Sequence, residues 1–361
     1  MWLDKIPLGN MLFKKKTPIG IDIGSRYIKA VQLNDTKTGY ELVFAVVMPL
    51  PAEVIVDGAI ADKNQLVISL KDLMAKAGVK SGDAVIGVSG HSSVIIKKIT
   101  LPSMTEEELG TSIKYEAEQY IPFDINDVNI DFQILGPKPD EEGQMDVVLV
   151  AVKKNVIADY VDAVEKAGLY PIIMDIDSFA LSNMYEASYD FVEKKNIALV
   201  NIGASKTNIN ILQDGLPIFT RDSVMGSNNH TEALQRELDV SFEDAERLKL
   251  GQSVDGISPD NVLMVLSNAS EEIYTEISRS FDYFKSSVSE EDIAEIILSG
   301  GAALLKGFAE TMAERLGIPV ELADPFKKMR VPEKLDGDRI KEIAPITAVA
   351  AGLALRRIED R

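Results

Sequence analysis

The sequence predicts an α/β protein of two similar lobes, the first interrupted by a small α+β module. Three observations carry this. Apolar strands alternate with amphipathic helices through most of the 361 residues. The stretch IGIDIGSRYIKAVQL, residues 19–33, has a distant counterpart in IALVNIGASKTNINILQDGLPIFTRD, residues 197–222. From about Gly90 to Val152 the alternation gives way to strand, helix, strand, strand.

Taken in order, the first lobe opens with an apolar strand that carries Asp22, breaks at Gly24 and Ser25, and resumes as an alternating strand through Tyr27, Ile28, Lys29, Ala30 and Val31. Strand interiors disfavour both a carboxylate and a glycine. YELVFAVVMPL reads as a third strand. Residues 63–77 form an amphipathic helix with Leu66, Leu70, Leu73 and Met74 on one face. AVIGVSG is a continuous apolar run closed by a turn, as buried parallel strands are. In the module, VIIKKITLP is a strand and TEEELGTSIKYEAEQY a helix opened by a capping box of Thr105 with Glu108. DVNIDFQIL and QMDVVLVAV complete it. Residues 155–167 are a helix feeding the strand PIIMDI, and 177–188 the next helix, capped by Asp177 or Ser178.

The second lobe repeats the opening, with Asn201 in place of Asp22, then Gly203, a serine-containing turn, and an alternating strand through Asn208, Ile209, Asn210 and Ile211. GLPIFTRDSV is again a third strand. Helices follow at 231–238, 242–250 and 261–287. IAEIILSGG is a buried strand ending in a glycine turn, and PITAVAAGLALRRI a helix with a small-residue face. A duplication at half the chain length predicts two lobes, each opening with a β-meander, and a cleft between them.

Composition excludes several classes. There is no cysteine, hence no disulfide, thiolate catalysis or Cys-ligated metal. The two histidines lie far apart, His91 in SGHSS and His230 in SNNHT, and both read as solvated loop residues, so zinc chemistry is not expected. No apolar run reaches the roughly 18 residues of a membrane span. The net charge of −19 argues against a nucleic-acid partner, which needs a basic footprint, and suits a basic peptide. At the start, Trp2, Leu3, Ile6, Leu8, Leu12 and Phe13 beside Lys14, Lys15 and Lys16 have the composition of a weak contact to an anionic membrane. Residues 1–16 are read instead as a flexible leader.

The chemistry lies in the glycine turns. A Gly-Ser turn between strands offers successive backbone N–H groups as an anion nest, and two such turns across a cleft would grip a polyphosphate from both sides. Asp22 is placed to hold hydrated Mg²⁺ through water. The turn LSGGAALLKG sets Gly300 and Gly301 between a strand and a helix, where the backbone can pass close to a flat ring and the helix N-terminus attracts phosphate. No GxxxxGK[ST] is present, which excludes a P-loop. Lys29 reads equally as a solvated lysine or a phosphate contact, and Lys206 lies in the second turn itself.

These segments resemble the actin/Hsp70/hexokinase superfamily. IGIDIGSRYIKAVQL is similar to its first phosphate motif, LVNIGASKTNINIL to its second, and ILSGGAALLKG to its adenosine motif. IIMDIDSFALSNM and PITAVAAGLALR resemble the two connecting helices at the hinge, and DAERLKLG the segment that approaches ribose and base. The module sits where FtsA-like members carry their extra 1C subdomain. The stretch ITLPSMTEEELGTSIKYEAEQYIPFDINDVNIDFQILG, above all EAEQYIPF, resembles the PilM family of type IV pilus assembly.

The resemblance implies an actin-like, ribonuclease H-like fold. Its parts would be lobe one (1A) at 17–89, 153–195 and 341–361, the 1C insertion at 90–152, lobe two (2A) at 196–225 and 293–340, and subdomain 2B at 226–292. It implies ATP and Mg²⁺ in the cleft. The nucleotide would be held by Gly24, Ser25, Arg26, Lys29, Gly203, Ala204, Ser205, Lys206, Glu246, Lys249, Gly300 and Gly301, and the metal by Asp22. It implies capture of the N-terminal cytoplasmic tail of the inner-membrane protein PilN by Ile113, Glu116, Ala117, Tyr120, Ile121, Pro122 and Phe123. It further implies contacts with other inner-membrane pilus components, self-association, and a cytoplasmic place at the inner face of the inner membrane, reached only through partners. Asp22, Asp175 and Asn201 are the catalytic candidates. Asn201 stands where hydrolytic relatives often place an aspartate, and an amide cannot act as a base, so ATP binding with slow or absent hydrolysis is expected. An FtsA-like filament protein is disfavoured because the chain stops at RRIEDR without an amphipathic anchor. A metabolic kinase is disfavoured because no catalytic aspartate stands in a substrate loop.

Overall fold

The computed structural model describes residues 15–90, 93–138, 141–191, 193 and 195–357. Of the residues read for a weak membrane contact, Trp2 to Lys14 lie outside them, as do residues 358–361 and His91. Lys15–Lys16, expected to belong to the leader, pairs with Asn34 and Asp35 and extends the first sheet.

The first lobe begins with β1 (Lys15–Lys16), β2 (Ile19–Ile23), β3 (Tyr27–Thr36) and β4 (Gly39–Pro49). A hairpin, β5 (Ile55–Val56) and β6 (Ala59–Ile60), leads to α1 (Lys63–Lys76) and β7 (Asp83–Val88). Asp62 caps α1 by accepting the Gln65 N–H at 2.9 Å. The module follows as β8 (Val94–Pro102), α2 (Glu106–Glu118), β9 (Val128–Pro137) and β10 (Gln144–Lys153). The capping box of Thr105 and Glu108 is present at the start of α2. The chain returns through α3 (Lys154–Lys166), β11 (Tyr170–Ile176) and α4 (Asp177–Ser188).

The second lobe comprises β12 (Asn196–Ile202), β13 (Thr207–Gln213), β14 (Leu216–Ser223), α5 (Asn228–Leu238), α6 (Phe242–Lys249) and α7 (Pro259–Ser287). β15 (Ile293–Ser299), α8 (Phe308–Leu316), β16 (Val320–Leu322), α9 (Gly337–Ile343) and α10 (Ala348–Ala354) complete the chain.

The duplication is real at the level of topology. In lobe one, β4, β3 and β2 form an antiparallel meander continued by parallel β7 and β11. In lobe two the order is β14-β13-β12-β15-β16 with the same directions. β2 and β7 read as nearly continuous apolar runs because helices cover both faces of the sheet. The module is a separate three-stranded sheet, β8-β10-β9, with its own core of Ile99, Leu109, Ile113, Ala117, Val147 and Leu149.

α4 and α10 lie between the lobes. Their apolar residues, among them Leu181, Met184, Val349 and Leu353, share one core with Val31 and Val85 of the first sheet and Leu199 and Ile297 of the second. This joint places the two Gly-Ser turns across from one another.

Candidate functional site

The two turns have the same internal closure. Gly24 N–H donates to Tyr27 O at 3.1 Å, and Gly203 N–H to Lys206 O at 2.9 Å. The second turn is braced from behind by the loop entering α5. Ser227 and Asn228 N–H each donate at 2.8 Å, to Gly203 O and Ala204 O. Gly226 permits this approach, since a Cβ there would lie 2.6 Å from Lys206 N. Among the described residues, the N–H groups of Ser25, Arg26, Ala204 and Ser205 make no backbone hydrogen bond, which leaves them as donors for an anion. Ser25 Oγ and Ser205 Oγ lie 2.8 Å apart, so the turns meet directly across the cleft.

Between them opens a cavity of about 750 Å³. Every residue expected to bind nucleotide lines it, namely Gly24, Ser25, Arg26, Lys29, Gly203, Ala204, Ser205, Lys206, Glu246, Lys249, Gly300 and Gly301, and so do Asp22 and Asn201. A volume of this size fits a nucleotide.

At the end lined by the two turns, charges alternate. Lys29 Nζ donates to Asp22 Oδ2 at 2.9 Å, so Lys29 is a partner of the carboxylate rather than a solvated residue. Lys206 contacts Ser89 Oγ and lies 3.7 Å from Asp177 Oδ2. Burial pushes the Asp22 carboxyl up, Lys29 pulls it back, and the nearby Asp177 pushes it further up. A second carboxylate beside Asp22 leaves room for a cation near both.

At the other end, Arg26 lies 4.3 Å above the Phe242 ring and 3.9 Å from Glu246 Oε2. Burial works to raise Glu246, but Lys249, Thr231 and Arg26 outweigh it and hold the carboxyl below its ordinary value. Burial pushes Lys249 down. Gly300 adopts φ 90 and ψ −179, a conformation almost confined to glycine, and a Cβ there would meet Asn201 Oδ1 at 2.8 Å. The residues after it form a short 3₁₀ turn, Gly301–Leu304, and α8 begins only at Phe308, so no α-helix N-terminus faces the cavity at this turn.

The catalytic candidates are distributed differently from expectation. Asp175 is outside the cavity. Its Oδ2 pairs with Arg356 at 3.2 Å and its Oδ1 accepts the Ile176 N–H at 2.8 Å. Asp177, expected as a helix cap, lines the cavity instead. Neither it nor Ser178 caps α4, whose N-cap is Ile176 without a side-chain bond. The Asp177 carboxylate accepts from Ser89 Oγ. Strand alternation alone would set Asp175 and Asp177 on one face, but β11 ends at Ile176 and Asp177 is the first residue of α4, so the change to helix carries the two into different surroundings. Asn201 accepts from Ser299 Oγ at 3.2 Å and braces the third turn.

His230 is also corrected. It is fully buried in the first turn of α5, with Nε2 2.9 Å from Ser270 Oγ. Burial, reinforced by Lys249, pushes its pKa down to about 4. The neutral form is therefore favoured in the folded state, and stability is lost as pH falls from 6.5 toward 4. His230→Gln should remove about 2 kcal/mol of the stability loss between about pH 7 and pH 5. Chemical denaturation of both proteins at the two pH values checks this.

On the inserted module the expected peptide residues divide in two. Ile113, Ala117 and Ile121 are buried in the module's own core and present no surface to a partner. Glu116, Tyr120 and Phe123 are half-buried and Pro122 is exposed. Lys153 lies 4.4 Å above the Phe123 ring, and Lys154 Nζ donates to Asn126 O at 2.6 Å. These contacts hold the IPF turn against the start of α3. The exposed side chain of this set thus adjoins the junction between module and lobe one.

The family profile of the type IV pilus assembly protein PilM matches residues 20–358. The chain belongs to this family. A solved PilM–PilN type IV pilus biogenesis complex is similar to it at 26% identity, with a TM-score of 0.82, covering 94% of this chain and 98% of that one. The cell division protein FtsA of Bacillus subtilis (strain 168) is 24% identical over 365 residues, which is 88% of this chain and 81% of that protein. The ethanolamine utilization protein EutJ of Carboxydothermus hydrogenoformans shares the fold at 17% identity, with a TM-score of 0.57, covering 94% of this chain and 89% of that one. The fold of the PilM family member described here is therefore the two-lobed actin-like fold, with a module inserted in lobe one.

Proposed function

We propose that the chain is an adaptor of type IV pilus assembly that holds ATP between its lobes and captures the N-terminal cytoplasmic tail of PilN beside the inserted module. The observation that carries the capture is the match, over 94% of this chain and 98% of that one, to a PilM–PilN complex. Nucleotide binding is supported by the paired turns lining one cavity. The protein would work at the inner face of the inner membrane, held there by its partner. Among the described residues no helix is long and apolar enough to cross a membrane.

Within the cleft, N–H groups of Ser25, Arg26, Ala204 and Ser205 would donate to phosphate oxygens, with Lys29 and Lys206 balancing their charge. The residues fit a magnesium ion held through water by Asp22, which would screen phosphate charge. Asp177 would orient water by accepting its hydrogen bond. Asn201 cannot take a proton, and Asp177 is already engaged by Ser89 and Lys206, which together favour binding over rapid hydrolysis.

At the module, Tyr120, Pro122 and Phe123 offer apolar surface and Glu116 offers charge for a basic tail, in keeping with the net charge of −19. A fluorescent peptide copying the PilN tail should lose at least about tenfold in affinity on Tyr120→Ala, as aromatic anchors do. Tyr115→Ala, 80% exposed on the preceding helix α2, should change it by less than about twofold. An affinity indifferent to Tyr120 would remove the assigned surface.

A further inference from the structure

The phosphate end of the cavity contains a hydroxyl that the adaptor role does not use. Ser89 follows the last residue of β7 and lines the cavity while only 8% exposed. Its hydroxyl donates to the Asp177 carboxylate, and Lys206 Nζ contacts the same oxygen. The three side chains come from separate places: the end of β7, the start of α4 and the second phosphate turn. Gly87 makes room for them, since a Cβ there would overlap Asp177 Oδ1. Ser25 and Ser205, also in the cavity, bond to each other rather than to a carboxylate.

A serine hydroxyl becomes a competent nucleophile when a carboxylate stands ready for its proton and a cation for the charge at the reacting centre. Ser89 has both, beside the turns that would hold the phosphates. We propose that Ser89 is a phosphorylation site, the chain transferring to it the terminal phosphoryl group of a nucleoside triphosphate bound in its own cleft. Ser89 Oγ forms the new O–P bond. The bond from that phosphorus to the β–γ bridging oxygen breaks, nucleoside diphosphate leaves, and the hydroxyl proton passes to Asp177. No water or further reactant enters. The product places a phosphate beside Asp22 and Asp177, which repel it, and Lys29 and Lys206, which pair with it. The direct Lys206–Ser89–Asp177 link between the lobes is then replaced, so phosphorylation would reset cleft closure.

The inference rests on nucleotide binding in this cleft, so the two are measured together. The full chain is incubated with magnesium and γ-labelled ATP, bound nucleotide is measured by equilibrium dialysis, and the label is mapped by tandem mass spectrometry. The expected result is saturation at one phosphoryl group per chain on Ser89, at a rate per chain independent of protein concentration. Ser89→Ala should abolish it, and Ser89→Thr should retain label at that position. Asp177→Asn should slow labelling per bound nucleotide by at least about a hundredfold. Bound nucleotide without label on Ser89, or label unaffected by Asp177→Asn, overturns the inference alone. Absence of bound nucleotide overturns the cleft reading and the inference with it.

Discussion

Gly352→Ala is expected to destabilise the chain by about 3 kcal/mol, seen as a lowered midpoint in thermal or urea unfolding. α10 is buried along its whole length, and Gly352 is where it crosses α4. A Cβ there would overlap the carbonyl of Ala180, a backbone group that cannot swing aside. On its other side α10 meets Gly20 of β2, where a Cβ would overlap Ala350 O and Ala354 N. The helix is thus wedged between the strand that carries Asp22 and the helix that carries Asp177. Enlarging either glycine must spread elements that place both carboxylates. Unfolding unchanged in Gly352→Ala would mean that this joint is looser than its packing indicates.

The second large effect is expected from Lys206→Met. The lysine is a cation that lobe two sends across the cleft to lobe one, and its partners Ser89 and Asp177 both line the phosphate end. A charge-assisted hydrogen bond to phosphate contributes about 1.5–3 kcal/mol, so ATP affinity should fall roughly ten- to hundredfold. The loss should be greater for ATP than for adenosine, because the lysine serves the phosphate end only. Titration with both ligands separates this from a general loosening of the cleft. Equal losses for the two would argue against the phosphate role.

The meanders were legible because each carries its own punctuation. Gly24 and Gly203 interrupt apolar strands at matched points, and the strand after each resumes with alternating residues. The module was legible through the capping box at Thr105 and Glu108, a purely local signal. What local signals could not supply is the surroundings of a side chain. Asp177 looks like a cap because it opens a helix, yet Ser89, brought from another strand, takes its carboxylate. His230 follows two asparagines and looks solvated, yet α7 covers it and supplies Ser270. Ile113 and Ala117 sit in the segment that most resembles the family, yet they serve the module's core and leave the surface to Tyr120 and its neighbours. For Asp177 and His230 long-range packing decided, and no short window contains it.

If the two glycine turns grip a nucleoside triphosphate between the lobes, calorimetric titration of the full chain with magnesium and ATP will show it. Binding should saturate at one site per chain and be weakened by Lys206→Met and by Gly300→Ala. No saturable binding, or binding indifferent to both substitutions, would contradict that grip.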